Sequence, residues 1–369
     1  MRTAFAHCRL MAGWAENVLK DSIKNHHAKE IKIFTLVSDK PYLMVNNKTV
    51  QVTTVIPKII NNFLLWITQK NIPIISMLFD YRNLIVLAPL RAWIMSKQIQ
   101  RYNPDHIYIS SFARTKNINT HWIQTTLYLH SPMQYIRTHY DEYRQKITWW
   151  RWRLFKHITP PLRKRDSKSR KYDTVITNSL YTQKTTKELY DLNSTIQYPP
   201  IEENLLQQTT SDTEIYDYFV YTGRLVSFVK ELDKIITACN QTKTNLIIIG
   251  DGPDKEKLQA LAGDTITFIP RIKDSKQRSK IVKQARWCIN ITKESFGIST
   301  MESLLLGVPI LWYTQWATRE LVDDKSGILI PDKKIATIVN AIKQREKKDF
   351  DRNYIHNTAK EIYKKHSNQ

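Results

Sequence analysis

The chain has 369 residues, 42% of them hydrophobic, which is enough for two domains with cores of their own. Its 56 Lys and Arg against 34 Asp and Glu give a net charge of +22. An anionic partner is therefore expected: nucleic acid, an acidic membrane surface or a phosphate-bearing substrate, although a genome-wide lysine bias produces the same excess.

Three cysteines, Cys8, Cys239 and Cys288, lie far apart in apolar surroundings and leave no basis for a disulfide framework or a zinc site. A reducing cytoplasm fits. The opening Met1-Arg-Thr-Ala-Phe-Ala-His7 lacks the apolar run of a signal peptide, and no stretch reaches the eighteen or so apolar residues of a membrane span. Residues 84–95 come closest, interrupted by Arg91. The expected location is cytoplasmic, with membrane contact peripheral at the inner face if there is any.

In chain order, the pattern predicts a strand at 3–7, a loop carrying Gly13, and a helix over 15–23. Strands follow at 31–37, 106–110, 125–129, 172–177 and 195–198, separated by helix-length segments; residues 45–95 give no clear order. Strands alternating with helices argue a doubly wound parallel sheet. After Pro199-Pro200 and a polar segment, strands are predicted at 218–222, 245–249, 265–269, 287–291, 309–313 and 327–330. A long charged helical pattern over 336–367 ends the chain. The expected fold class is α/β with two Rossmann-like domains, 1–199 and 200–345, and a helical tail over 346–369.

The most informative stretch is Lys293-Glu-Ser-Phe-Gly-Ile-Ser-Thr-Met-Glu302. It leaves a strand and enters a helix near Ser299. Glu294 and Glu302 stand eight positions apart, Gly297 allows close backbone approach, and the N–H groups of Ile298, Ser299 and Thr300 form an anion site at the helix start. The plain alternative is an N-terminal cap with a glutamate in its first turn. At the end of the 218–222 strand, Gly223, Arg224 and Lys230 sit where a doubly wound sheet binds ligands, and an arginine fork with a lysine point charge suits a diphosphate. Asp251, in Ile249-Gly-Asp-Gly-Pro253, reads as a turn and cap residue.

The string from Glu294 to Glu302 resembles the signature of family 4 glycosyltransferases, Glu-x-Phe-Gly-x-x-x-x-Glu followed by Gly-x-Pro. Four more motifs carry the resemblance in order. They are Gly223-Arg-Leu with Lys230; Leu129-His-Ser-Pro-Met-Gln-Tyr135, similar to the His-Thr-Pro-Met-Arg-Tyr of mannosyltransferases that build bacterial surface polysaccharides; Thr177-Asn-Ser-Leu-Tyr181; and Gln197-Tyr-Pro-Pro-Ile201. The resemblance implies the GT-B fold, two such domains facing a cleft with the tail crossing back to the first, and a retaining, metal-independent hexosyl transfer that needs no cofactor. The implied donor is a nucleotide-diphosphate sugar, GDP-mannose or a UDP-sugar with mannose favoured; the acceptor is a glycan or polyprenol-diphosphate-linked glycan. It implies donor contacts from Gly13, Gly223, Arg224, Lys230, Phe296, Gly297, Ile298 and Ser299, with Glu302 on the ribose, Glu294 on the donor sugar and His130 near the sugar hydroxyls. Residues 267–272 would seat the base. The family has glycine where Glu231 stands.

Glycine is scarce, 8 residues or about a third of ordinary usage, while tryptophan reaches 10. Gly13-Trp-Ala-Glu16 and Trp316-Ala-Thr-Arg-Glu320 fall where the family has Gly-Gly-x-Glu and Gly-Gly-x-x-Glu. Taken literally, an indole at either place weakens the donor site. Our reading is that some tryptophans are glycines misread from UGA codons; UGG codons at positions 14 and 316 would overturn it. Finally, the aromatic and basic run 149–171 suits either a helix lying on anionic lipid or a solvated linker. Two other functions stay open: a nucleotide-sugar epimerase of the same architecture, and a non-enzymatic basic protein binding nucleic acid or other anions. No nucleic-acid module is recognisable, so nucleic acid is not the expected partner.

Overall fold

The structure, a computed structural model, describes residues 1–10, 13–38, 40–55, 88–111, 115–134, 136–146, 149–168, 171–208, 213–344 and 348–367. Residues 56–87 of the stretch whose element order was left open, Tyr135 of the His130 motif and residues 169–170 of the basic run lie outside these. The chain forms two compact units, Met1–Asn178 with Thr182–Pro200, and Ile201–Gln369 with Ser179–Tyr181.

The first unit is built on strands β1 (Arg2–Leu10), β2 (Glu30–Ser38), β3 (Tyr42–Val45), β4 (Lys48–Thr54), β5 (His106–Ser111), β6 (Gln124–Leu129), β7 (Thr174–Thr177) and β8 (Thr195–Ile196). Their order in the sheet is β3-β4-β2-β1-β5-β6-β7-β8. Every pair is parallel except β3 with β4. That antiparallel hairpin lies at the start of the stretch whose element order the pattern leaves open. Its signal was present in the sequence: Asn46 and Asn47 take φ of 46° and 60°, the left-handed conformation that a tight hairpin turn demands and that asparagine tolerates.

The second unit comprises β9 (Tyr216–Thr222), β10 (Leu246–Ile249), β11 (Ile266–Ile269), β12 (Ala285–Asn290), β13 (Ile310–Tyr313) and β14 (Gly327–Ile330), all parallel in the order β11-β10-β9-β12-β13-β14. Continuous apolar runs such as Leu246-Ile-Ile-Ile249 lack alternation because both faces of a parallel strand are covered. The helix Leu232–Thr242 buries Leu232, Ile235, Ile236 and Cys239, one face at helical spacing. Each such aliphatic side chain contributes about 1.5–3 kcal/mol on burial, so packing holds this helix more than propensity does. Trp287 is a core residue, stacked 6.2 Å from Phe219 and edge-on to Phe350 at 5.1 Å.

The charged tail resolves into two helices, Ile335–Gln344 and Arg352–Ser367. Both helices belong to the second unit, and specific polar contacts hold the second of them there. Arg352 donates to the carbonyls of Lys283 and Ala285 at 2.7 and 2.5 Å, His356 Nδ1 meets the Leu305 carbonyl at 2.6 Å, and the Ile201 N–H donates to Tyr363 Oη at 3.0 Å. In the aromatic and basic run, Trp152 and Phe155 pack on Tyr140 at 5.3 and 5.7 Å, while Trp149 stays exposed. Among the described residues no helix is long and apolar enough to cross a membrane.

Candidate donor site

Strand order reverses between β9 and β12 in the second sheet, and crossover connections leave a crevice beyond the carboxyl ends of two such strands. The loop after β9 carries Gly223 and Arg224 and turns into a short helix, Ser227–Lys230. The loop after β12 carries Glu294 and turns into the helix Ile298–Leu305. Topology therefore brings the two motifs together, and Lys230 Nζ forms an ion pair with Glu294 Oε1. Arg224 is exposed and makes no ion pair among the described residues.

Both loops are shaped by local backbone demands. Gly297 has φ of 92° and starts the helix Ile298–Leu305, a conformation that L side chains resist. The helix begins within one residue of the expected Ser299. Phe296 is 2% exposed, so its ring anchors the loop in the core. Glu231 takes φ of 51°, the left-handed conformation of the glycine it replaces. Its carboxylate is tied to Lys333 at 3.0 Å and Lys234 at 3.1 Å, which offsets the backbone cost and keeps Lys230 at the end of its helix.

The turn after β10 lies directly on the Arg224 loop. A Cβ at Gly250 would stand 1.9 Å from the Gly223 carbonyl oxygen, and one at Gly252 2.3 Å from that of Leu225. Asp251 Oδ1 accepts the Gly252 N–H at 3.0 Å, a turn role as expected, and the helix Lys255–Leu261 is preceded by Asp254, which accepts the Ser227 N–H at 2.6 Å. Gly250→Ala is expected to push the Gly223–Leu225 turn outward and weaken nucleoside diphosphate binding by tenfold or more, roughly the effect of an ångström's misplacement. Titration calorimetry with UDP and GDP checks this.

Asn290 was missed by sequence reasoning. It is buried at the end of β12, its side-chain amide donating to Thr300 Oγ1 at 2.9 Å and reaching Glu294 Oε2 at 3.4 Å, while its Oδ1 accepts the Thr292 N–H at 3.1 Å. One side chain thus links the Glu294 loop to the start of the next helix. Glu302 is held by Arg278, Nη2 to Oε1 at 3.2 Å. Burial pushes its carboxyl above the ordinary range and Arg278 pulls it back.

Trp316 has φ of 74°. For a non-glycine residue that costs about 1–2 kcal/mol. Its ring stacks on Tyr181 at 4.7 Å, and Lys293 Nζ lies 5.9 Å from it. Near this stack Glu320 accepts the Leu180 N–H at 2.8 Å. Burial pushes the Glu320 carboxyl from 4.5 up to about 7, partly offset by that hydrogen bond. Between those values the folded chain holds a proton that the unfolded chain has released. The stability contributed here is therefore full below pH 4.5 and lost as pH rises through about 7. Glu320→Gln is expected to flatten this part of the profile in thermal melts across the same range.

In the first unit the strand order reverses between β1 and β5. A buried chain of groups marks that edge: His7 Nδ1 to Ser110 Oγ at 3.0 Å, and Ser110 Oγ to His130 Nε2 at 2.8 Å. The Trp14 ring meets the His130 ring edge-on at 4.8 Å. Burial pushes His7 down to about 4 and His130 well below the ordinary imidazole value, so both rings are neutral at neutral pH. His130 is wholly buried. Gly13 precedes the helix Trp14–Lys24, its carbonyl accepting the Glu16 and Asn17 N–H groups at 3.0 and 3.2 Å.

Residues 204–362 match the family model described as glycosyl transferases group 1. The fold is similar to that of Anabaena HepE solved with UDP and glucose, at TM-score 0.64 and 15% identity over 99% of this chain and 95% of that one. It is also similar to sucrose-phosphate synthase from Thermosynechococcus elongatus, at 0.64 and 14% over 100% and 95%. WaaG, a glycosyltransferase involved in lipopolysaccharide biosynthesis, follows at 0.59 and 13% over 98% and 95%. A search of curated proteins returns no match. Residues 204–362 are thus similar to the glycosyl transferases group 1 domain, and the chain as a whole has the GT-B fold of these solved structures.

Proposed function

We propose that this glycosyltransferase moves a hexose from a nucleotide-diphosphate sugar to a lipid-linked or surface glycan, with retention at the anomeric carbon. The observation that carries the reading is the ion pair of Lys230 with Glu294 at the strand-order reversal of the second sheet, with Arg224 on the same loop as Lys230 and the start of the helix Ile298–Leu305 on the loop of Glu294. Two cations and a helix start oppose the charge that builds on a departing diphosphate, the largest electrostatic demand of such a transfer. Glu294 binds the donor sugar, and Glu302 the ribose. His130, neutral in its buried setting, offers a hydrogen bond to the sugar once its loop admits one. We propose transfer without a metal ion, so activity is retained in a chelator.

Mannose is favoured by the His130 motif; UDP-glucose enters the test because HepE was solved with it. We further propose that the tryptophans at 14 and 316 stand in for glycines, which the φ of Trp316 supports. The test is calorimetry of GDP-mannose, UDP-glucose and other UDP-sugars against the chain as written and against the Trp14→Gly, Trp316→Gly variant, followed by transfer assays to a polyprenol-diphosphate glycan. Binding by the glycine variant alone supports both readings. Failure of both proteins to bind any donor sinks the catalytic reading.

A further inference from the structure

We propose that Arg278 is a positioning residue of the nucleotide site, its guanidinium fixing the orientation of the Glu302 carboxylate toward the ribose. The inference rests on the ribose role of Glu302 proposed above. It goes beyond it in assigning a residue outside every motif read from the sequence.

Arg278 sits on the helix Ser275–Gln284, which follows β11 and is capped by Asp274, whose Oδ1 accepts the Lys276 N–H at 2.9 Å. That cap sets the helix start, and the helix sets the guanidinium. Nη2 reaches Glu302 Oε1 at 3.2 Å and Glu202 Oε1 at 3.6 Å, so one nitrogen bridges two carboxylates from distant parts of the chain. The three side chains are 25%, 21% and 43% exposed, with Glu202 the outermost. Leu205, Val282 and Leu306 flank the Arg278–Glu302 pair, and an apolar border strengthens such pairing. Among the described residues Glu302 Oε2 accepts no hydrogen bond. One oxygen of Glu302 is therefore clamped, and the other is left to accept from a hydroxyl.

The charges around Glu302 agree. Burial raises its carboxyl, Arg278 lowers it, and Glu202 raises it again. Several titratable groups on elements packed against its helix turn elsewhere: His356 to the Leu305 carbonyl, Cys288 to Ser303, Glu320 to the Leu180 amide, Arg352 to the Lys283 and Ala285 carbonyls and Tyr363 to the Ile201 N–H. Arg278 is the cation that pairs with Glu302.

The experiment titrates UDP and GDP, and their 2′,3′-dideoxy forms, into wild type, Glu302→Ala, Arg278→Gln, Arg278→Lys and Glu202→Gln, from about pH 5 to 8, with thermal melts reporting folding. Losing one hydrogen bond to a charged group, Arg278→Gln is expected to weaken ribose nucleotides about tenfold and dideoxy nucleotides little. Its affinity should also begin to fall at a higher pH than in wild type, because Glu302 then protonates more readily. Arg278→Lys should recover part of the loss, and Glu202→Gln should move the pH midpoint the opposite way. If Glu302→Ala abolishes ribose discrimination while Arg278→Gln keeps wild-type affinity, discrimination and pH profile, the Arg278 assignment is overturned and the ribose reading survives. If wild type itself does not distinguish ribose from dideoxyribose, both fall together.

Discussion

Glu294→Ala is expected to lower sugar transfer more than tenfold, and Lys230→Ala to do the same by a different route. The two side chains form an ion pair, with 22% and 15% of their surface exposed. Lys230→Ala removes a cation from the diphosphate and leaves Glu294 unopposed, so binding of UDP or GDP weakens along with turnover. Glu294→Ala frees Lys230 for the phosphates while removing the sugar contact; nucleoside diphosphate binding holds, and turnover is lost. Because the residues touch, the double variant should cost less than the sum of the singles. Initial rates and calorimetry on all three proteins separate these outcomes, and near-normal turnover in either single variant would remove that residue from the site.

The largest effect on stability is expected in the first domain, from Asp166→Ala. Asp166 ends the helix Trp149–Asp166, is 1% exposed, and pairs with Lys116, 4% exposed, at 3.0 Å. Its other oxygen accepts from Tyr190 Oη at 2.9 Å and Arg137 Nε at 3.4 Å. Lys116 Nζ also lies 4.1 Å from the Tyr190 ring centre. Removing the carboxylate strands a buried ammonium, which typically costs about 3–5 kcal/mol. Replacing the pair together, Asp166→Leu with Lys116→Met, should recover most of that loss, because the desolvation penalty of both ions disappears with them. Denaturant unfolding of the three proteins checks this; equal midpoints for Asp166→Ala and wild type would mean that the network carries no net stability.

Much of the fold was legible in the sequence because buried parallel strands write themselves as short apolar runs. Leu246–Ile249, Ile310–Tyr313 and Gly327–Ile330 were located within a residue. The β3–β4 hairpin was not, since its strands are short, half-exposed and joined by two asparagines whose turn chemistry went unread. Loop residues stood out where local spacing dictates backbone shape, as with Gly297 ahead of its helix. Asn290 and Arg278 escaped because an asparagine at a strand end and an arginine in a polar helix look like ordinary solvated groups until their partners are seen.

Sequence alone carried the two-domain α/β plan, the glycine-dependent loop at Gly297 and the acidic and basic residues of the proposed donor site, all set by patterns within about ten residues. Tertiary structure decided the rest. The reversal of strand order between β9 and β12 brings Lys230 to Glu294 across 64 residues of chain. Burial, which no local pattern encodes, makes His130 neutral, lifts Glu302 and Glu320, and places Phe296 in the core. Desolvation and long-range pairing are properties of the folded surroundings, so they become readable only once the sheet is assembled.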